Sequence, residues 1–171
     1  MTRCSWLALV AIVGVVAGCT GEGSGSVESV IGSLPALAVD DARSPSESLV
    51  PDGRILVVNL WASWCEPCRR EMASLDVLSR QSDASRLRVI GISVDEDRNL
   101  ALEYLRSQPL SFGQYWDPGM TNARRTWGLT GVPATLVIGP HGDVRARVVG
   151  PRDWSSDAIR RLIFSEAAGA I

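Results

Sequence analysis

Apolar positions along the chain fall into strand-like runs that alternate with helical stripes. Ile55-Leu56-Val57-Val58-Asn59-Leu60 is a short, nearly unbroken apolar run, the pattern of a strand buried on both faces. Behind it Met72, Leu75 and Leu78 recur at helical spacing, which predicts a helix that starts around Cys65 and Cys68 and ends near Arg80 to Ser82. Leu87 to Val94 repeats the buried-strand pattern and runs into the acidic turn Asp95-Glu96-Asp97. Strand, helix and strand in this order predict a right-handed crossover between parallel strands.

The second half alternates differently. Leu100, Tyr104 and Leu105 mark an amphipathic helix, Phe112 to Trp116 a short strand, and Thr121 to Trp127 a short helix. Ala134 to Ile138 and Val144 to Val149 are strands joined by Gly139-Pro140-His141-Gly142-Asp143, which reads as a hairpin. Trp154, Ala158, Ile159, Leu162 and Ile163 line one face of a closing helix. Neither an internal repeat nor a second domain interrupts this order. The expected fold class is α/β, with a mixed central sheet flanked by helices.

Residues 1–33 do not share this pattern. Arg3 precedes an uncharged apolar stretch from Cys4 to Ala17, shorter than the roughly 20 residues that span a bilayer and laid out as an export signal; a permanent transmembrane anchor is the other reading. Val16-Ala17-Gly18-Cys19 resembles the lipobox of bacterial lipoproteins. That resemblance implies cleavage of residues 1–18 and a lipid on the Cys19 sulfur, hence an extracytoplasmic domain anchored to a membrane. Residues 19–33, rich in Gly and Ser, read as a flexible tether. The globular domain is expected over 34–171, with Leu37-Ala38-Val39 as a short edge strand.

Composition narrows the chemistry. The 171 residues carry a net charge of −2, and all 17 basic residues are arginine. Lysine Schiff bases and a phosphate-loop lysine are therefore excluded. No basic run is long enough to track a phosphate backbone, so nucleic acid is not an expected partner. One histidine and four cysteines leave little for a metal site, and no metal or cofactor is expected. His141, in the hairpin turn, receives no role.

Chemistry concentrates at Trp61-Ala62-Ser63-Trp64-Cys65-Glu66-Pro67-Cys68. Two cysteines three apart, where a buried strand passes into a helix, put Cys65 at the helix start and Cys68 one turn inside. Unpaired N–H groups and the dipole at that end favour the Cys65 thiolate, the species that attacks a disulfide. Pro67 fits the first turn without losing a helical hydrogen bond. Arg69 and Arg70 favour the thiolate further, and Glu66 opposes it. A structural zinc site lacks ligands, and a static disulfide closing so short a loop adds little stability. A redox pair is the reading that uses the strand-turn-helix context.

The segment from Asn59 to Glu71 resembles the active-site segment of membrane-attached thioredoxin-like proteins of the TlpA, ResA and CcmG (DsbE) type. The resemblance extends from about Leu34 to the C-terminus and includes Gly131-Val132-Pro133-Ala134-Thr135, which is similar to the family's cis-proline loop. It implies a thioredoxin-like fold in which the helix and strand between Asp97 and Trp116 form a central insertion. It also implies that Pro133 faces the cysteines and that the Val132 backbone pairs with a substrate segment as an added strand. An ordinary strand-entry proline is the other reading of Pro133. Trp64, Glu66 and Pro67 belong to the implied substrate-contact surface, and Trp61 to the core.

Plain thioredoxins carry aspartate where this chain has Asn59, which can hydrogen-bond but cannot move a proton. Glu71 matches a glutamate that the ResA-like branch places near the cysteines. Desolvated there, it could accept the Cys68 proton; otherwise it is a solvated helix glutamate paired with arginine. The family often carries a proline soon after this position, where this chain has Met72-Ala73. The activity implied is disulfide reduction through Cys65 and Cys68, with apocytochrome c or its handling partner as substrate and a membrane thiol carrier as electron donor. An oxidant of secreted proteins, a copper chaperone and a peroxide reductase are the alternatives.

Overall fold

The computed structural model describes residues 52–164. The leader, Cys19, the tether and the strand expected at Leu37–Val39 lie outside the described residues. The described chain runs β1 (Ile55–Trp61), α1 (Glu66–Gln81), β2 (Leu87–Ser93), α2 (Arg98–Ser107) and β3 (Gly113–Trp116). A 3-10 turn (Pro118–Met120) leads to α3 (Thr121–Trp127), β4 (Ala134–Ile138), β5 (Val144–Val149) and α4 (Asp157–Phe164). The five strands lie in the order β3-β2-β1-β4-β5. β1, β2 and β3 are parallel, whereas β4 runs antiparallel to both β1 and β5. This is the mixed sheet expected from the apolar runs, with the crossover and the hairpin in their expected places.

β1 is buried at every position except half-buried Leu56, because β2 and β4 flank it and both of its faces are covered. Asn59 and Trp61 point to the same face of the pleat. On that face Asn59 meets Glu71 of α1, and the Trp61 ring lies 5.1 Å from that of Tyr104 of α2. α1 turns Cys68, Glu71, Met72, Leu75 and Leu78 inward, a single helical face. Burying each of the three large apolar side chains stabilises by about 1.5–3 kcal/mol relative to exposure. The helix stops at Ser82, whose extended backbone still donates to the Leu78 carbonyl.

Three details depart from the sequence reading. In α2 the buried residues are Ala101 and Leu105, while Leu100 is turned to solvent, so the apolar stripe is rotated by one position. The short strand begins at Gly113, and Phe112 is buried just ahead of it. Trp154 precedes α4 instead of lining it, and Ala158 is exposed. The cause is local: Asp153 accepts from the Ser155 N–H at 3.0 Å, closing a turn that delays the helix to Asp157. The Trp154 indole is thereby free to enter the core, where it is fully buried.

Candidate active site

The cysteine loop is held from two strands. At the end of β1, Trp61 Nε1 donates to Gln114 Oε1 at 3.0 Å, and the Trp61 carbonyl accepts from Val94 N at 2.8 Å. Beyond it, fully buried Asp95 accepts from Ser63 N at 3.1 and 3.0 Å, from Ser63 Oγ at 2.8 Å and from Ser93 Oγ at 2.8 Å. A carboxylate off the end of β2 thus fixes the loop that leaves β1. Cys65 N then donates to the Ala62 carbonyl at 3.1 Å and closes the turn into α1.

Cys65 is the N-cap of α1: its backbone is extended and its Sγ accepts from Cys68 N at 3.3 Å. Cys65 and Cys68 are joined in a disulfide, with Cα atoms 5.2 Å apart. Pro67 lies in the first turn, where no helical bond is lost. Both sulfur-bearing residues are buried, while the neighbouring Trp64 is 68% exposed. Arg69 and Arg70 do not turn to the cysteines. Both pair with the Glu66 carboxylate, and the Arg69 hydrogen bond and charge hold Glu66 below its ordinary range. The two effects weighed against each other in the sequence therefore largely neutralise one another at the surface.

The Val132–Pro133 peptide bond is cis. Leu60 pairs with Ala134 in the antiparallel β1–β4 ladder, so the residues just before Ala134 lie at the sheet end where β1 runs into the cysteine loop. Pro133 is buried and its carbonyl accepts from Gly150 N at 2.9 Å; Val132 is half-buried.

Glu71 is buried, only 3% exposed, on the same face of α1 as Cys68. Three donors converge on it. Asn59 Nδ2 donates to Oε1 at 2.7 Å, Arg152 N to Oε2 at 3.1 Å and Trp154 Nε1 to Oε2 at 3.4 Å. Burial pushes its carboxyl above the ordinary value of 4.5, and the three hydrogen bonds and the Arg152 charge only partly offset this. The solvated, arginine-paired glutamate is thus not what the fold makes of Glu71. Asn59 also donates to Thr135 Oγ1 at 2.9 Å, linking β1, α1 and β4.

Sequence reasoning assigned no role to Asp95, Thr135, Arg152 or Trp154. Ser63 and Asp95 are 32 positions apart, Asn59 and Thr135 76, and Glu71 and Trp154 83, beyond any local pattern. The one usable signal was Asp95 at the carboxyl end of a parallel strand, where α/β sheets gather their sites. His141 is exposed in the hairpin turn. Among the described residues no three His, Cys, Asp or Glu side chains gather as for a metal ion, and no helix is long and apolar enough to cross a membrane.

What this end of the sheet offers a partner is the sulfur pair of Cys65 and Cys68 at a helix N-terminus, with a cis-proline loop at the same end. That chemistry on this sheet defines a thioredoxin-like thiol-disulfide oxidoreductase. The model of the AhpC/TSA family matches residues 35–147, and the chain belongs to that family and, within it, to the DsbE-like thiol:disulfide interchange proteins. It is 35% identical over 131 residues to the thiol:disulfide interchange protein DsbE of Allochromatium vinosum, covering 72% of this chain and 70% of that one. The DsbE of Yersinia pestis is 28% identical over 164 residues, 90% of this chain and 84% of that protein. Among solved structures, a DsbE-type thiol:disulfide interchange protein from Chlorobium tepidum superposes with a TM-score of 0.61 at 26% identity, over 66% of this chain and 79% of that one.

Proposed function

We propose that this oxidoreductase works outside the cytoplasm, anchored to a membrane through lipidated Cys19, and reduces disulfides of apocytochrome c or of a protein that handles it. The observation that carries the thiol-exchange step of this reading is Glu71, a carboxylate buried one turn beyond Cys68 and held by three donors. A desolvated carboxylate of raised pKa is suited to take the proton of a resolving thiol near neutral pH.

In the reducing direction the Cys65 thiolate attacks one sulfur of the substrate disulfide, and the other substrate sulfur leaves as a thiolate. Glu71 accepts the Cys68 proton, and the Cys68 sulfur attacks Cys65 Sγ in the mixed disulfide. The second substrate thiol is released, the Cys65–Cys68 bond forms, and two electrons have passed to the substrate. A membrane thiol-disulfide carrier returns the pair to the dithiol. Trp64, Glu66 and Pro67 form the contact surface beside Cys65, and Val132 and Pro133 present backbone to the extended substrate segment.

The test is a glutathione redox titration of the full-length chain in detergent. A potential closer to about −270 mV than to about −120 mV supports the reductant, and the opposite result makes the protein an oxidant of secreted substrates. No exchange with any dithiol in a folded protein would overturn both. For Glu71, the Glu71→Gln variant should resolve the mixed disulfide more slowly, with the pH dependence of that step lost.

A further inference from the structure

Glu71 has three hydrogen-bonding partners, and they are not equivalent. The Arg152 N–H and the Trp154 indole N–H can only donate. They suit an ionised carboxylate and offer nothing to the hydrogen of a carboxylic acid. Asn59 is different, since its carboxamide can donate through Nδ2 or accept through Oδ1. At present it donates, to Glu71 Oε1 at 2.7 Å and to Thr135 Oγ1 at 2.9 Å. Its Oδ1 is buried and has no hydrogen-bond partner, so nothing on that side holds the amide in its present orientation. Thr135 is equally adaptable: a hydroxyl that accepts from Nδ2 in one orientation donates to Oδ1 in the other. All three side chains are buried, at 0%, 3% and 2% exposure for Asn59, Glu71 and Thr135, so water does not readily substitute for any of them.

We propose that Asn59 is a positioning residue whose carboxamide turns over when Glu71 takes up a proton, with the Thr135 hydroxyl reversing its hydrogen bond in step. The inference deepens the role given to Glu71 above and rests on Glu71 exchanging a proton. With Glu71 ionised, Nδ2 donates to both neighbours, as seen. With Glu71 protonated at Oε1, the acid O–H and the Thr135 O–H both donate to Oδ1. Each orientation makes two hydrogen bonds, and turning between them breaks none on the far side. The bridge therefore accommodates both charge states of a buried acid without admitting water. It also directs the proton to Oε1, toward β1, while Oε2 stays on Arg152 and Trp154. Thr135 lies in β4, two residues after Pro133 of the cis Val132–Pro133 bond that precedes the strand.

The charged groups around Glu71 are Arg70 on its own helix and Arg152 and Asp153 on the segment after β5, which line the same surface groove. From β1 the carboxyl meets the neutral Asn59, which in turn bonds the neutral Thr135 of β4. In the disulfide form neither cysteine titrates, so Glu71 can be followed without interference.

The test uses the oxidised, isotope-labelled full-length chain in solution NMR. The Glu71 carboxyl carbon reports the protonation midpoint, and the nuclear Overhauser effect between the Asn59 side-chain NH2 and Thr135 Hβ reports the amide orientation. The expected result is loss of most of that effect as pH falls, with the same midpoint as the Glu71 carbon. In Glu71→Gln the Asn59 amide should no longer respond to pH over that range. An Overhauser effect that stays constant across the Glu71 midpoint overturns the proposal, as does a Glu71 carbon that never titrates before the protein unfolds in acid. The base role of Glu71 fails separately: resolution kinetics unaffected by Glu71→Gln would remove that role while leaving a turning amide in place.

Discussion

Gly91 stands in register between Asn59 of β1 and Gln114 of β3, and Gln114 lies across it to reach Trp61. A Cβ at Gly91 would stand 2.2 Å from Gln114 Oε1, 2.8 Å from its Cδ and 2.9 Å from its Nε2, closer than real Cβ contacts come. Gln114 is buried and held at both ends, by Trp61 Nε1 at 3.0 Å and by the Phe112 carbonyl at 3.3 Å, so it cannot move aside without losing both bonds. Overpacking costs about 1–3 kcal/mol and a buried Trp61 N–H left unpaired a further 1–3 kcal/mol or so, offset by up to about 1 kcal/mol from replacing glycine in a strand. Gly91→Ala should therefore destabilise by about 1–5 kcal/mol, up to a large share of the 5–15 kcal/mol or so typical of a domain. The assay is urea unfolding of the oxidised protein in a double-mutant cycle with Gln114→Ala. In the Gln114→Ala background the clash is gone, and Gly91→Ala should cost less than about 1 kcal/mol. Additive effects, or a Gly91→Ala variant as stable as the parent, would refute the reasoning.

Three further outcomes follow from the site. Because burial raises Glu71 in the folded state above its ordinary value of 4.5, the folded protein binds the proton more tightly than the unfolded chain does. Its contribution is fully present below pH 4.5 and is lost as pH rises through the folded value, so the stability of the parent relative to Glu71→Gln should fall over that window in urea titrations at successive pH. Asp95→Ala strips the acceptor from Ser63 N and Oγ, and should cost about 1.5–3 kcal/mol and accelerate hydrogen exchange at the Ser63 amide, read by mass spectrometry or NMR. Trp64→Ala, at a residue 68% exposed, should leave stability within about 0.5 kcal/mol while slowing exchange with a protein disulfide by about fivefold or more and sparing exchange with dithiothreitol. Equal slowing with both would remove Trp64 from the contact surface.

The apolar runs at Ile55–Leu60 and Leu87–Val94, the stripe Met72, Leu75, Leu78 and the hairpin around Gly139–Asp143 were sufficient to order the elements, because buried strands and helix faces impose their period on neighbouring residues. The CxxC spacing at a strand-to-helix junction was equally legible, since helix N-terminal chemistry is local. What the chain could not show is how distant polar groups share one buried volume. Whether Glu71 is a solvated surface acid or a desolvated one depends on Asn59, Arg152 and Trp154 converging on it, and Trp154 is free to do so only because a turn at Asp153 delays α4. Arg69 and Arg70 are a different case, since their pairing with Glu66 is a local contact between exposed side chains one helical turn apart. Periodicity and short-range spacing thus determined the fold and the reacting pair, whereas the tertiary structure alone decided that Glu71 is a desolvated acid beside that pair, because desolvation is set by everything packed around a group and not by its neighbours along the chain.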